Sequence, residues 1–148
     1  MGKKRKSTMI YEGLGFPVKL YDVETRTIRG EEVPILNHRR LEDAVFHALI
    51  WMPARFSGAH LNFIRGYMGL TQVELAKSLG LSGHGRVSQW EKQHDKPTGM
   101  SLGTDVLIRL IMAQYLHEKE FFNQFEEYLS TTLLSEKKPT PLELKKVA

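Results

Sequence analysis

GLSGHGRVSQWEK, residues 80–92, decides how the chain is read. Its first half spaces Gly80 and Gly85 by four residues and follows them with Arg86, the outline of a phosphate cradle. Its second half has the pattern of a short amphipathic helix, with Val87 and Trp90 three residues apart on one face. A loop of the G-x-x-x-x-G-K-[ST] kind needs a lysine for the phosphates and a hydroxyl for magnesium, and it follows a strand and precedes a helix. Arg86 and Val87 stand in those two places, and Gln72 to Leu79, just before, have a helical pattern. The nucleotide reading fails on both chemistry and context. The nucleophile elbow fails as well, because His84 stands where G-x-S-x-G requires its last glycine.

The better account is geometric. Thr71 opens a helix with a capping box, since Glu74 lies three residues on and can bond back to the Thr71 amide. Leu75, Ala76 and Leu79 face inward and Gly80 closes the helix. A few small residues then lead to a second short helix that begins near Gly85. Two helices joined in this way are expected to form a helix-turn-helix, whose second member lies in the major groove of DNA. A tight corner needs small side chains, the role expected of Ala76 and the glycines. Arg86, Ser88, Gln89 and Lys92 take the outward side, and all can donate hydrogen bonds to bases or phosphates.

LNFIRGYMGLTQVELAKSLGLSGHGRVSQWEK, residues 61–92, resembles the Cro/C1-type (XRE-like) helix-turn-helix family. An arginine in the first helix is followed by G-x-T-Q-x-x-L-A-x-x-L-G and then by V-S-x-W-E, over a match spanning residues 57–98. The departure is one extra residue in the turn, where Gly83, His84, Gly85 and Arg86 separate Ser82 from Val87. The resemblance implies a lambda-repressor-like fold with base-reading positions at His84, Gly85, Ser88 and Gln89, and Arg86 beside them. It also implies that Gln72 contacts a phosphate and braces the reading helix. Glu91 is expected to pair with Arg65, and Lys77, Lys92 and Lys96 to add phosphate contacts. Residues 15–53, ahead of this domain, resemble more weakly some antitoxins of type II toxin-antitoxin modules, which join a toxin-binding part to a DNA-binding one. The zinc-bearing members use two Cys-x-x-Cys pairs that this chain lacks.

Working outward, Asn37 caps a helix in which Leu41, Ala44, Val45, Ala48 and Leu49 form one apolar stripe, ended by Pro53. Ser57 caps the next, with Leu61, Ile64 and Met68 inward and Gly69 turning the chain out of it. Toward the N-terminus, Phe16, Val18 and Leu20 alternate with Lys19 and Tyr21 as in a half-buried strand. Thr25 to Leu36, punctuated at Arg29-Gly30, completes a hairpin. Beyond Gly103, a long helical stretch starts at Thr104 or Asp105 and breaks near Glu118-Lys119. Its aromatic residues, Tyr115, Phe121, Phe122, Phe125 and Tyr128, exceed what one helix face can hide, so residues 104–134 are expected to form most of a homodimer interface.

The expected fold is therefore mainly α: five or six helices with a lambda-repressor-like helix-turn-helix, plus a small N-terminal β-hairpin. Residues 1–10 read as a basic flexible arm, 11–56 as hairpin and packing helix, 57–100 as the DNA-binding domain, 101–134 as dimerisation helices and 135–148 as a flexible tail.

Composition agrees with such a chain. Its 148 residues carry a formal charge of +4, with fifteen basic against ten acidic side chains up to residue 99 and six against seven beyond. The basic excess thus lies with the proposed reading helix rather than with the last third. No cysteine is present, which removes disulfides, thiolate nucleophiles and thiolate metal sites and fits a reducing cytoplasm. The basic start lacks the apolar run of a secretory signal, and Val106 to Leu116, interrupted by Arg109 and Gln114, is shorter than the ~20 residues of a membrane span. Six histidines form neither H-x-x-x-H nor H-E-x-x-H, so no metal and no cofactor is expected. No carboxylate pair or activated nucleophile is visible, and no enzyme is expected. Double-stranded DNA, a second copy of the chain and, in the antitoxin alternative, a protein toxin are the expected partners. The expected function is a dimeric repressor reading a palindromic operator.

Overall fold

The structure, a computed structural model, describes residues 5–128 and 141–145. Among these, six α-helices and a four-stranded mixed sheet divide between two compact units, residues 1–48 with 141–148, and residues 49–140.

The first unit is built around β2 (Val18–Ile28), which pairs antiparallel with β1 (Arg5–Tyr11) and β3 (Glu31–Pro34) and parallel with β4 (Leu142–Leu144). Alternation places Phe16, Val18 and Leu20 inside. It slips at Asp22, whose φ is +52°, where the register jumps from Met9↔Leu20 to Ser7↔Val23. This bulge adds one residue to β2 and returns Val23 and Thr25 to the buried side. Arg29 and Gly30, with φ of +52° and +82°, form the two-residue turn into β3, and positive φ at both positions suits the right-handed twist of the strands. Glu32 accepts from Thr25 Oγ1 at 2.6 Å and from Ser7 Oγ at 3.0 Å, so one carboxylate ties β1, β2 and β3 together. Asn37 Oδ1 accepts from the Arg40 amide and opens α1 (His38–Ile50), whose Leu41, Val45 and Phe46 are fully buried.

The sheet overturns the expectation of a mainly α domain with only a small hairpin. The hairpin β2–β3 is present, yet residues 5–11 are a strand along β2 rather than part of a free basic arm. Residues 142–144, placed in a tail, run parallel to Val18–Leu20 with Leu142 and Leu144 buried. Backbone groups of β2 left open by the hairpin are satisfied by these two outlying segments. The remaining residues of the arm and tail, 1–4, 135–140 and 146–148, lie outside the described residues.

The second unit contains the end of α1 and α2 (Gly58–Tyr67), α3 (Gln72–Ser78), α4 (Gly85–Glu91), α5 (Leu102–Tyr115) and α6 (Lys119–Tyr128). Its core includes Phe56, Leu61, Ile64, Leu75, Val87, Ile108, Met112 and Phe121. Ser57 caps α2, and the third helical residue that completes the capping box is His60, whose Nδ1 accepts from the Ser57 amide at 3.0 Å. Burial, with the positive charge of Arg109 as a lesser cause, pushes the His60 pKa down from 6.5 to about 4. The ring is therefore neutral at pH 7, as an accepting Nδ1 requires. α5 starts at Leu102 rather than at Thr104 or Asp105, capped by Ser101, whose hydroxyl accepts from the Thr104 amide. His117, at φ +55°, turns the chain from α5 toward α6.

Arg109, which interrupts an apolar run in the sequence, is fully buried. Its Nε donates to Asp105 Oδ1 at 2.7 Å, and its Nη atoms donate to the carbonyls of Leu49, Ile50, Met52 and Ala54 at 3.3, 3.1, 2.8 and 2.6 Å. The guanidinium lies 4.4 Å from the Phe56 ring centroid, and the Phe56 amide donates to Asp105 Oδ2. One cation thus satisfies carbonyls that the end of α1 and the following loop leave open. It also explains why residues 49–56 belong with the second unit rather than with the hairpin.

Candidate nucleic-acid interface

The two short helices foreseen on either side of Gly80 are α3 and α4. Thr71 and Glu74 form the reciprocal capping box, with bonds of 3.1 and 3.2 Å. Gly80 has φ +72°, a conformation that a side chain would strain. Leu75, Ala76 and Val87 are buried between the helices and the core, while Trp90 is half-buried.

Three separate contacts hold α4. First, the Glu91 carboxylate accepts from Gln72 Nε2 of α3 at 2.7 Å and from Arg65 Nε of α2 at 2.8 Å. Arg65 also donates to the Leu70 carbonyl, in the link between α2 and α3. Second, the chain after α4 returns along the start of α2, with Gly58 N donating to Lys96 O and Ala59 N to His94 O. Third, Gly58 lets α2 approach closely: a Cβ there would lie 2.6 Å from Trp90 O and 2.7 Å from both Glu91 O and His94 N.

The small-corner argument fits the buried Ala76 but not Gly83 or Gly85, and the close approach falls instead at Gly58, which the sequence reading did not single out. A Cβ on Gly83 or Gly85 would meet nothing within 4 Å, and neither has a positive φ. They border an open hollow of about 480 Å³ along the turn, lined also by Gly80, Leu81, Ser82 and Arg86.

Of the positions singled out in the sequence, His84, Gly85, Arg86, Gln89 and Lys92 are exposed and Ser88 is half-buried. All six lie on α4 or at its two ends. His84 occupies the N-cap position, but its side chain makes no capping bond. Gln72 stands apart from them, half-buried with its amide nitrogen committed to Glu91. Lys77 and Lys96 are exposed. Glu91 as the meeting point of three helices is only half visible in the sequence. Its pairing with Arg65 follows from the motif, whereas the bond to Gln72 depends on a crossing geometry that no spacing reports. Val73, beside Gln72 on the first turn of α3 and 49% exposed, also escaped notice.

Among the described residues no group of three or more His, Cys, Asp or Glu could hold a metal ion, and no helix is long and apolar enough to cross a membrane. No family model matches the chain, and no curated protein or solved structure shows a significant match to it.

Proposed function

We propose that this chain is a sequence-specific DNA-binding transcriptional regulator of the cytoplasm, a dimeric repressor that reads a palindromic operator with α4. The observation that carries this reading is the division of α4. Val87 and Glu91 are held against α2 and α3, and the opposite side presents Arg86, Gln89 and Lys92 to solvent with no acidic residue among them. In the major groove, Gln89 suits the N6 and N7 edge of adenine and Arg86 the O6 and N7 edge of guanine. His84, Ser88 and the bare backbone of Gly85 complete the reading side. Lys77, Lys92 and Lys96 serve phosphates, and Gln72 holds α4 at its angle through Glu91. The test is selection of bound fragments from genomic DNA, repeated with Gln89→Ala. A common sequence element recovered by the wild type and altered by the variant is the expected result, whereas identical recovered sites remove Gln89 from base reading.

A second reading, an antitoxin that binds a protein toxin and represses its own operon, is favoured by the sheet unit, which is compact in itself and separate from the unit that holds α4. Copurification of a small protein encoded beside this gene is its test.

A further inference from the structure

Among the described residues the sheet ends on the outer edges of β1, β3 and β4, and these edges differ in kind. β4 spans three residues, and β3 spans four, of which one is Pro34. β1 runs for seven residues with neither proline nor glycine, and the extra residue of the bulge belongs to β2 rather than to it. Shortness, proline and bulges keep an edge from pairing with another chain, and β1 has none of the three. Its side chains alternate: Lys6, Thr8 and Ile10 are exposed, while Ser7, Met9 and Tyr11 are half-buried. Every second residue also turns its N–H and C=O toward the outer edge, where no described strand lies. Charge is confined to one end. Arg5 and Lys6 open the strand, residues 7–11 carry none, and the exposed Glu12 follows.

From this edge we infer that β1 pairs with β1 of a second copy of this chain, antiparallel across a two-fold axis at Thr8, so that the two four-stranded sheets become one. Charge selects both the occupant and the direction. A register centred on Thr8 pairs the whole strand, with Lys6 opposite Ile10 of the second copy and Ser7 opposite Met9. Each cationic end then meets an uncharged end and, just beyond it, Glu12. A parallel pairing would set Arg5 and Lys6 beside their own images, and like charges directly opposite repel. Lysine guards an edge by such repulsion, and the antiparallel register keeps the two Lys6 side chains apart. Each copy has one edge of this kind, so the assembly closes at two. The inference rests on the dimeric part of the reading proposed above and gives it a surface. That surface is not the one expected in residues 104–134, where Phe121 is fully buried against Trp51 at 5.2 Å between ring centroids. The side chains of Phe122, Phe125 and Tyr128, and residues 129–134, lie outside the described residues.

The experiment is sedimentation equilibrium of the full chain without DNA, from roughly 1 to 100 μM, a range suited to a seam of small area. Wild type is expected to dimerise. Ile10 is 49% exposed, so both signs of charge fit there without disturbing the core. Ile10→Lys sets a like charge against Lys6 twice in each dimer and Ile10→Glu an opposite one, so the dissociation constant should rise and fall, respectively, by about threefold or more. A wild type that stays monomeric overturns the inference, and so do two folded variants that shift the constant the same way. Where either variant fails to fold, the absence of native cysteine supplies a second measurement. Thr8→Cys, set against its own image, should form a disulfide-linked dimer under mild oxidation, and Ile28→Cys, exposed elsewhere on the sheet, should not. Equal crosslinking of the two, or none, overturns the pairing. Anisotropy on a single operator half-site separates these outcomes from the DNA reading. A dimer with the expected charge response that binds no DNA supports the pairing while removing the regulator. A monomer that binds the half-site, or a chain that associates only with a small protein encoded beside its gene, overturns the pairing alone.

Discussion

Gln72 Nε2 lies 2.7 Å from Glu91 Oε2, joining the first residue of α3 to the last residue of α4. Glu91 spends its other oxygen on Arg65, so one carboxylate sets the crossing of three helices. Its side chain is 8% exposed and that of Arg65 21%, which puts the pair between surface and buried ion pairs. Glu91→Ala is expected to cost about 1 to 3 kcal/mol in urea unfolding, because it strips a partly buried guanidinium of its partner. Gln72→Ala, which leaves the Arg65 pair in place, should cost less, about 0.5 to 1.5 kcal/mol.

Gly58 and Gly66 sit on the same helix and predict opposite outcomes. Gly58→Ala forces a methyl group onto three backbone atoms and should destabilise the second unit by roughly 1 to 3 kcal/mol. Gly66→Ala meets nothing within 4 Å and removes the entropic cost of a helical glycine, for a gain of about 0.5 to 1 kcal/mol. Thermal unfolding of the two variants beside the wild type reads both signs.

His60 makes stability depend on acid. Its pKa is about 4 in the folded chain and 6.5 ordinarily, so the unfolded chain takes up the proton first. The contribution is fully present above about pH 6.5 and is lost as pH falls toward 4, amounting to about 3 kcal/mol once both states are protonated. Glutamine at the same helical position can make the capping-box bond without titrating. Urea midpoints of His60→Gln should therefore fall less than those of the wild type between pH 7 and pH 4.5. Parallel declines would refute the assignment.

Asp105→Asn leaves the Arg109 guanidinium buried without a counter-charge and should cost about 3 to 5 kcal/mol. An isolated buried pair is often replaceable by apolar residues, but Arg109 also satisfies four carbonyls. The double variant Asp105→Leu, Arg109→Met should therefore fail to recover the loss, a contrast that chemical unfolding of the single and double variants resolves.

On the proposed DNA surface, Arg86→Ala and Gln89→Ala should each weaken operator binding by about 1 to 3 kcal/mol and relax sequence choice at one base pair. Lys77→Ala and Lys96→Ala should weaken all sequences alike and reduce the salt dependence by about one unit of slope each. Filter binding across a salt series distinguishes the two kinds of loss.

Much of the second unit was legible because its signals are local. The Thr71 and Ser57 caps, the left-handed Gly69 and Gly80, and the inward Leu75 and Val87 each announce themselves within four residues. What escaped depends on distant pairing. Arg5–Tyr11 reads as a charged arm until β2 supplies its ladder, and Leu142–Leu144 is too short for its alternation to register. Asp105 and Arg109 carry the polarity of a surface pair, and only the open carbonyls at the end of α1 reveal why they are inside. The candidate site was legible as a set of residues on α4, but not the commitment of Gln72 to Glu91 or the close approach at Gly58.

The grip of Arg109 on Leu49, Ile50, Met52 and Ala54 sets where this protein can be cut. An excised piece starting at Ser57, where the motif begins, would discard every one of those oxygen acceptors and strand a cation among hydrocarbon. The smallest self-sufficient piece of the second unit must therefore carry the closing turn of the preceding helix with it.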